Sequence, residues 1–196
     1  MSKTLDQIVT EKGCMTMSES IQVAKKLLEL ADKAHETGDR ILMLSPERIR
    51  IPESAGECQL LINSENAARQ DSCSNESTSN DHITAAGAVG FRAPEIAITD
   101  PDRIGKQSDY YSITAIFYYC LTGNKISRFQ MFRSGIPDIS DVILRNQMDT
   151  HTIQPLLRIL KKGLAPGLKK RYQSSAQMRK DLLELEKAMR ENRWKA

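Results

Sequence analysis

Apolar positions recur with helical period in four stretches of this chain, separated by short strand-like runs and one long polar segment. In the first stretch, Ile21, Ala24, Leu27, Leu28, Ala31 and Ala34 gather on one face of a helix over about 17–36. Thr16-Met-Ser-Glu19 ahead of it has capping-box spacing, in which the Thr hydroxyl and the Glu carboxylate each satisfy a free backbone N–H. Gly38 is the expected stop, since it enters the left-handed conformation without a Cβ penalty. The second stretch, SDYYSITAIFYYCLTG (108–123), is apolar nearly all round and therefore belongs in the middle of a domain. Ser108 is its expected cap and Gly123 its end. IQPLLRILKKG (153–163) and SSAQMRKDLLELEKAMREN (174–192) read as two amphipathic helices, with Pro155 placed in a first turn. Residues 124–149 predict a short helix and an irregular stretch around Pro137.

Between these helices lie strand candidates at about 40–44, 48–51 and 58–62. The run RILMLSPERIRI (40–51) joins two apolar segments through Ser-Pro-Glu-Arg and predicts a strand–turn–strand. Residues 63–84, NSENAARQDSCSNESTSNDHIT, contain almost no large apolar groups and so cannot offset their ordering entropy. A mobile loop is expected there, its serines solvated, although serine in such a loop can accept phosphate. Order resumes at GAVGFRAPEI (87–96). The expected class is mainly α with a small β element. A lead-in over 1–15 precedes a single domain over 16–192, and 193–196 form a tail.

Composition leaves this picture intact and removes alternatives. With 40% apolar and 27% charged residues the chain is ordinary globular material. No apolar run approaches the roughly 20 residues needed to cross a bilayer. The N-terminal MSKTLDQIVTEKG lacks the apolar centre of a signal peptide, so a cytoplasmic protein is expected. The four cysteines and three histidines are scattered without a CxxC pair, which predicts free thiols and no metal site. Charge is uneven: from Arg158 onward 12 Lys+Arg face 4 Asp+Glu, a net of +8, while the remainder carries 16 against 21, a net of −5. No aromatic platform accompanies the basic segment, which argues against nucleic acid and for a solvated helical face.

Taken in order, these elements resemble the C-terminal lobe of bacterial-type Ser/Thr protein kinases. GAVGFRAPE is similar to that family's G-T-x-x-Y-x-A-P-E segment, and DYYSITAIFYYCLTG to the D-x-Y-S-L-G-x-x-L-Y-E-L-L-T-G helix at the lobe's centre. RILKKGLAPGLKKRYQSSAQMRKDL resembles the terminal pattern in which an Arg precedes a Tyr and a final helix. SESIQVAKKLLELADKAHETG is similar to the helix that leads into the catalytic loop. The resemblance covers the chain from about residue 5. It implies a kinase-like C-lobe with a hinge-like lead-in, an activation-like loop at 63–84 and no N-terminal lobe.

Three structural anchors carry over. The resemblance makes Glu95 the glutamate of the A-P-E motif and Arg171 its partner, a pair whose members are costly to bury singly. It makes Asp109 the aspartate that opens the central helix and accepts hydrogen bonds from the catalytic-loop backbone. The chemical positions do not carry over. Aligning Gly38 and Pro46 with G-x-x-H-R-D-L-K-P-E-N-I sets Ile41, Leu42 and Met43 at His-Arg-Asp. Met43 has no basicity with which to take a substrate proton. Ser45 replaces the phosphate-neutralising lysine and Arg48 the Mg²⁺-binding asparagine, while Leu44, Pro46 and Ile49 keep the family's apolar positions. Asn63, after Leu60-Leu61-Ile62, offers a neutral carbonyl where Mg²⁺ needs a carboxylate.

The resemblance therefore implies a pseudokinase: no enzyme, no cofactor, no bound ATP or Mg²⁺, and a protein-binding or regulatory role in signalling. Its partner is expected to be another protein or a second copy of the chain, met through apolar residues at Ile41, Leu42, Leu44 and Leu61. The alternative is a Ser/Thr kinase completed in trans by a separate N-lobe.

Overall fold

Local signals in the sequence build most of the helices. The structure, a computed structural model, describes residues 2–41, 44–52, 61–62, 89–97, 104–133 and 135–193. Helix α1 (Leu5–Lys12) follows strand β1 (Ser2–Thr4), and α2 (Met17–Glu36) follows Thr16. Both helices begin with a complete capping box, Thr4 with Gln7 and Thr16 with Glu19. Helix α2 ends at Thr37, and Gly38 turns the chain away at φ +85°. The segment expected as a lead-in is thus a strand and a helix that bury Leu5 and Val9. The Tyr119 hydroxyl ties α1 down further by donating to Asp6 Oδ1 at 2.8 Å.

Further along come a 3₁₀ turn (Pro46–Arg48), strands β2 (Ile49–Pro52) and β3 (Leu61–Ile62), and a short helix α3 (Pro94–Ala97). The central helix α4 (Lys106–Thr122) is followed by the short α5 (Arg128–Met131) and α6 (Ser140–Arg145). Helix α7 (Thr150–Gly163), a 3₁₀ turn (Leu168–Lys170) and α8 (Ser175–Arg193) complete the described chain.

Every residue of α4 from Ser108 to Leu121 is buried, because α2, α6 and α7 pack around it while α8 lies across α2 and α7. Two glycines permit the closest approaches. Gly123, at φ +74°, ends α4, and a Cβ there would lie 2.3 Å from the Gly13 carbonyl oxygen. A Cβ on Gly163 would lie 2.1 Å from Thr114 Oγ1, so α7 touches α4 backbone to side chain at its C-terminal end. No helix among the described residues is long and apolar enough to cross a membrane.

The structure corrects the sequence reading in four places. RILMLSPERIRI is not a hairpin: of its described residues only Ile49–Ile51 are in a strand, part of β2, and residues 40, 41, 44 and 45 are irregular. Strand β2 pairs antiparallel with β1 on one side and β3 on the other, with Lys3 opposite Ile51 and Ile49 opposite Ile62. Helix α4 begins at Lys106 with Gly105 as its cap, so Ser108 lies inside the first turn, where its Oγ accepts the Gly105 N–H at 3.3 Å. Asp149 caps α7 by accepting the Thr152 N–H at 2.8 Å, which starts that helix at Thr150 and leaves Pro155 beyond the first turn. Residues 124–149 hold two short helices rather than one.

Candidate functional site

The loop between α2 and β2 carries the positions at which the sequence pattern expects chemistry, and its entrance is clamped from below. His35 lies at the end of the α2 stripe, after Leu28 and Ala31, and faces α4. Its Nε2 sits 2.7 Å from Asp109 Oδ2, and both side chains are buried. The same Asp109 oxygen accepts the backbone N–H of Ile41 at 3.1 Å. One carboxylate on the central helix therefore holds the end of α2 and the chain that leaves it. Scattered spacing hid His35 in the sequence; its place on the apolar stripe was the signal that it faces the core.

Past Ile41 the described loop is buried at Leu44, Ser45 and Pro46 and opens to solvent at Glu47. Leu44, expected at a candidate interface, is 3% exposed and belongs to the main core, so it offers no surface. Ile41 is half-buried against that core. Ser45 is buried, and its carbonyl accepts the Arg48 N–H at 3.0 Å to close the 3₁₀ turn, while its hydroxyl caps nothing. Arg48 is half-buried and Glu47 exposed. Leu42, Met43 and Asn63 lie outside the described residues, and Leu61 enters through its backbone pairing with Arg50.

The second anchor is an ion pair sealed inside the lobe. Arg171 Nη1 and Nη2 donate to Glu95 Oε1 and Oε2 at 2.6 and 2.8 Å. The guanidinium's remaining hydrogens go to the carbonyls of Ala165 (2.6 Å), Pro166 (3.1 Å) and Gln107 (3.4 Å), so all five are used. Ser108 Oγ donates to Glu95 Oε1 at 2.6 Å, and the Tyr111 ring lies 4.8 Å beneath the guanidinium. Burial alone would raise the Glu95 pKa. The Arg171 and Ser108 hydrogen bonds and the Arg171 charge outweigh it and hold the carboxyl below its ordinary value. Burial pushes the Tyr111 phenol up.

The three anchors expected from the sequence thus meet on α4: Glu95 and Arg171 through Ser108, and Asp109 at the next residue. Glu95 and Arg171 are spent on each other and on Ser108 and neighbouring carbonyls, and Asp109 Oδ2 is taken by His35 and the Ile41 N–H. Among the described residues no three His, Cys, Asp or Glu side chains come together as ligands for a cation.

No protein-family model matches this sequence, and no curated protein matches it. Solved structures do. Two crystal structures of the PknI kinase domain from Mycobacterium tuberculosis superpose, a point mutant with TM-score 0.64 at 15% identity and a second with TM-score 0.61 at 13% identity. Each superposition covers 95% of this chain but 62% of the kinase domain, so the chain spans less than two thirds of the structures it resembles. At that level of identity the likeness speaks for the fold: mainly helical and protein kinase-like, corresponding to the C-lobe.

Proposed function

We propose that this chain is a pseudokinase C-lobe, a non-catalytic module that binds another protein or a second copy of itself in signalling. The observation that supports this reading is the Asp109 clamp on Ile41. The fold retains the anchor that steadies a kinase catalytic loop, while the residues it steadies have lost their chemistry. Residues 41–48 read Ile-Leu-Met-Leu-Ser-Pro-Glu-Arg, in which Glu47 is the sole carboxylate. Glu47 is exposed and stands where the family's K-P-E-N also has glutamate, so it does not replace the proton acceptor expected at Met43. Arg48 brings a cation to the position of a Mg²⁺ ligand.

The test is thermal unfolding of the purified chain with Mg-ATP, together with phosphate transfer from labelled ATP to a generic Ser/Thr substrate. A ligand at about a hundred times its Kd adds about 2.7 kcal/mol to stability, so binding would be seen as a clear upward shift. The expected result is no shift and no transfer. A nucleotide-dependent shift would overturn the proposal in favour of a kinase completed in trans.

A further inference from the structure

The basic C-terminal segment distributes its charge unevenly over the surface. Arg171 is paired inside the core, Arg179 meets Asp32 at 2.8 Å, and Lys187 lies 3.8 Å from Glu191. Arg158 is held by Asp181 at 3.3 Å and by Glu184, and Lys162 sits over the Tyr172 ring at 4.5 Å. Lys161, Lys169, Lys170, Lys180 and Arg190 have no such partner among the described residues.

Of these, Lys161 and Lys170 line a groove of about 790 Å³ between α7, the chain around Ile136 and the turn after Gly163. Its cationic lining is Arg158, Lys161, Lys162 and Lys170, and among the described residues no carboxylate lines it. Its floor is apolar, formed by Leu157, Leu164, Ala165 and Pro166 with Ile136 at the edge. Just upstream of Ile136, Phe129 and Phe132 are 67% and 50% exposed on a stretch that also carries Arg128 and Arg133 and no acid. A second groove on the other side of α7 differs: Glu184 and Glu191 line it beside Arg158 and Lys187, so its charges already answer one another.

We infer that the α7 groove is a docking site for an acidic peptide segment of a partner protein, one that alternates carboxylates with aliphatic side chains. Charge complementarity carries the choice of occupant. Arg158 is already answered by Asp181 and Glu184, but Lys161, Lys162 and Lys170 face the groove without a carboxylate and leave a positive potential that acidic side chains would neutralise, while the apolar floor accepts the aliphatic side chains between them. A nucleic acid would bring bases that need aromatic platforms; Phe129 and Phe132 lie beside the groove and not in it, and among the described residues its lining contains no aromatic side chain. A bilayer surface is flat, whereas this surface is concave. The inference deepens the binding-module reading and rests on it.

The experiment titrates the full chain into a short fluorescein-labelled peptide of repeating Glu-Leu-Glu and follows anisotropy. A Gln-Leu-Gln peptide, phosphatidylserine vesicles and a single-stranded oligonucleotide are run beside it. Binding of the acidic peptide is expected, weakening with salt and falling about tenfold or more in K161E/K170E, since like charges would then face the ligand. The variant K180E/R190E removes the same charge from α8 outside the groove and should bind as the wild type does. No binding of the acidic peptide, equal binding of the Gln peptide, equal loss in both variants, or binding only of vesicles or oligonucleotide would each overturn the inference. Nucleotide is absent from this assay. Failure here would leave the Mg-ATP result standing, and Mg-ATP binding would sink the non-catalytic reading without altering the groove measurement.

Discussion

Arg171 and Glu95, 76 residues apart in sequence, form a two-pronged ion pair that is shut off from solvent, with side-chain exposures of 0% and 3%. Because every guanidinium hydrogen is used, removing the carboxylate strands a charge where water cannot reach it. Glu95→Gln or Arg171→Met alone should therefore cost about 3–5 kcal/mol in urea unfolding, while the double change to Leu and Met should cost less than either. The pair also gives stability an acid limb. Glu95 has its folded pKa depressed below the ordinary 4.5, so its contribution is complete above that value and is lost as pH falls through the folded one. Unfolding free energy measured against pH should drop on the acid side in the wild type, and that drop should flatten in Glu95→Gln.

The Asp109 clamp predicts a local effect as well as a global one. Asp109→Asn keeps the volume but removes the charge that receives both His35 and the Ile41 N–H, a loss of about 1–3 kcal/mol. Hydrogen exchange separates the two effects. The Ile41 amide should lose more protection in the variant than amides in the middle of α4, because its carboxylate partner is what shields it. Equal loss at both sites would mean that the carboxylate acts only on the core.

Much of this was legible along the chain, and the misses share a cause. Capping boxes and apolar stripes are local, so α2, α4 and α8 are readable from their own residues, as was the burial of Glu95, Arg171 and Asp109 through their motif. Strand β1 was not, because Ser2-Lys3-Thr4 shows no alternation and acquires its strand character only by pairing with residues near 51. Of the supposed strand at 40–44, the described residues 40, 41 and 44 are irregular for the converse reason. Its apolar run suggests sheet, but the Ile41 N–H is taken by a carboxylate 68 residues away, and Pro46 then turns the chain. His35 was missed because a histidine on an apolar stripe reveals its partner only when the opposite helix is in place.

Tyr119 contributes to an alkaline limb alongside the other buried tyrosines, Tyr110, Tyr111, Tyr118 and Tyr172, whose phenols burial also pushes up. Burial first, and then the hydrogen bond to Asp6 and its charge, push the Tyr119 phenol up to about 12. A folded pKa raised above the ordinary 10 gives stability that is full below pH 10 and declines as pH rises through the folded value. Tyr119→Phe should make this decline shallower by the share Tyr119 contributes, measured by chemical unfolding at alkaline pH against the wild type. It should also remove the tie between α1 and α4, seen as faster exchange of the α1 amides.

The emptied loop predicts that chemistry is not recovered one residue at a time. Met43→Asp restores a carboxylate where the kinase resemblance expects the proton acceptor. Ser45, Arg48 and Asn63 would still supply neither a phosphate-neutralising lysine nor Mg²⁺ ligands, and phosphoryl transfer depends on those charges. The variant should transfer no phosphate from labelled ATP. Transfer by the single variant would show that the remaining site is competent and that the pseudokinase reading is wrong.

The contact between α7 and α4 predicts a steric defect with a graded remedy. A methyl on Gly163 would meet Thr114 Oγ1 at 2.1 Å, Cγ2 at 2.6 Å and Cβ at 2.7 Å, all within the buried centre of the lobe. Gly163 lies in the last turn of α7, where Ala would otherwise improve helix propensity by up to about 1 kcal/mol. Overpacking costs about 1–3 kcal/mol, so the clash should win and Gly163→Ala should destabilise. Thr114→Ala removes the two nearest atoms but leaves Cβ in place, and it also deletes the Thr114 Oγ1 bond to the Tyr110 carbonyl. The double variant should therefore regain only part of the stability relative to Gly163→Ala, with a favourable coupling energy in a double-mutant cycle. A coupling of zero would place the cost in the α7 backbone and not in the contact with Thr114.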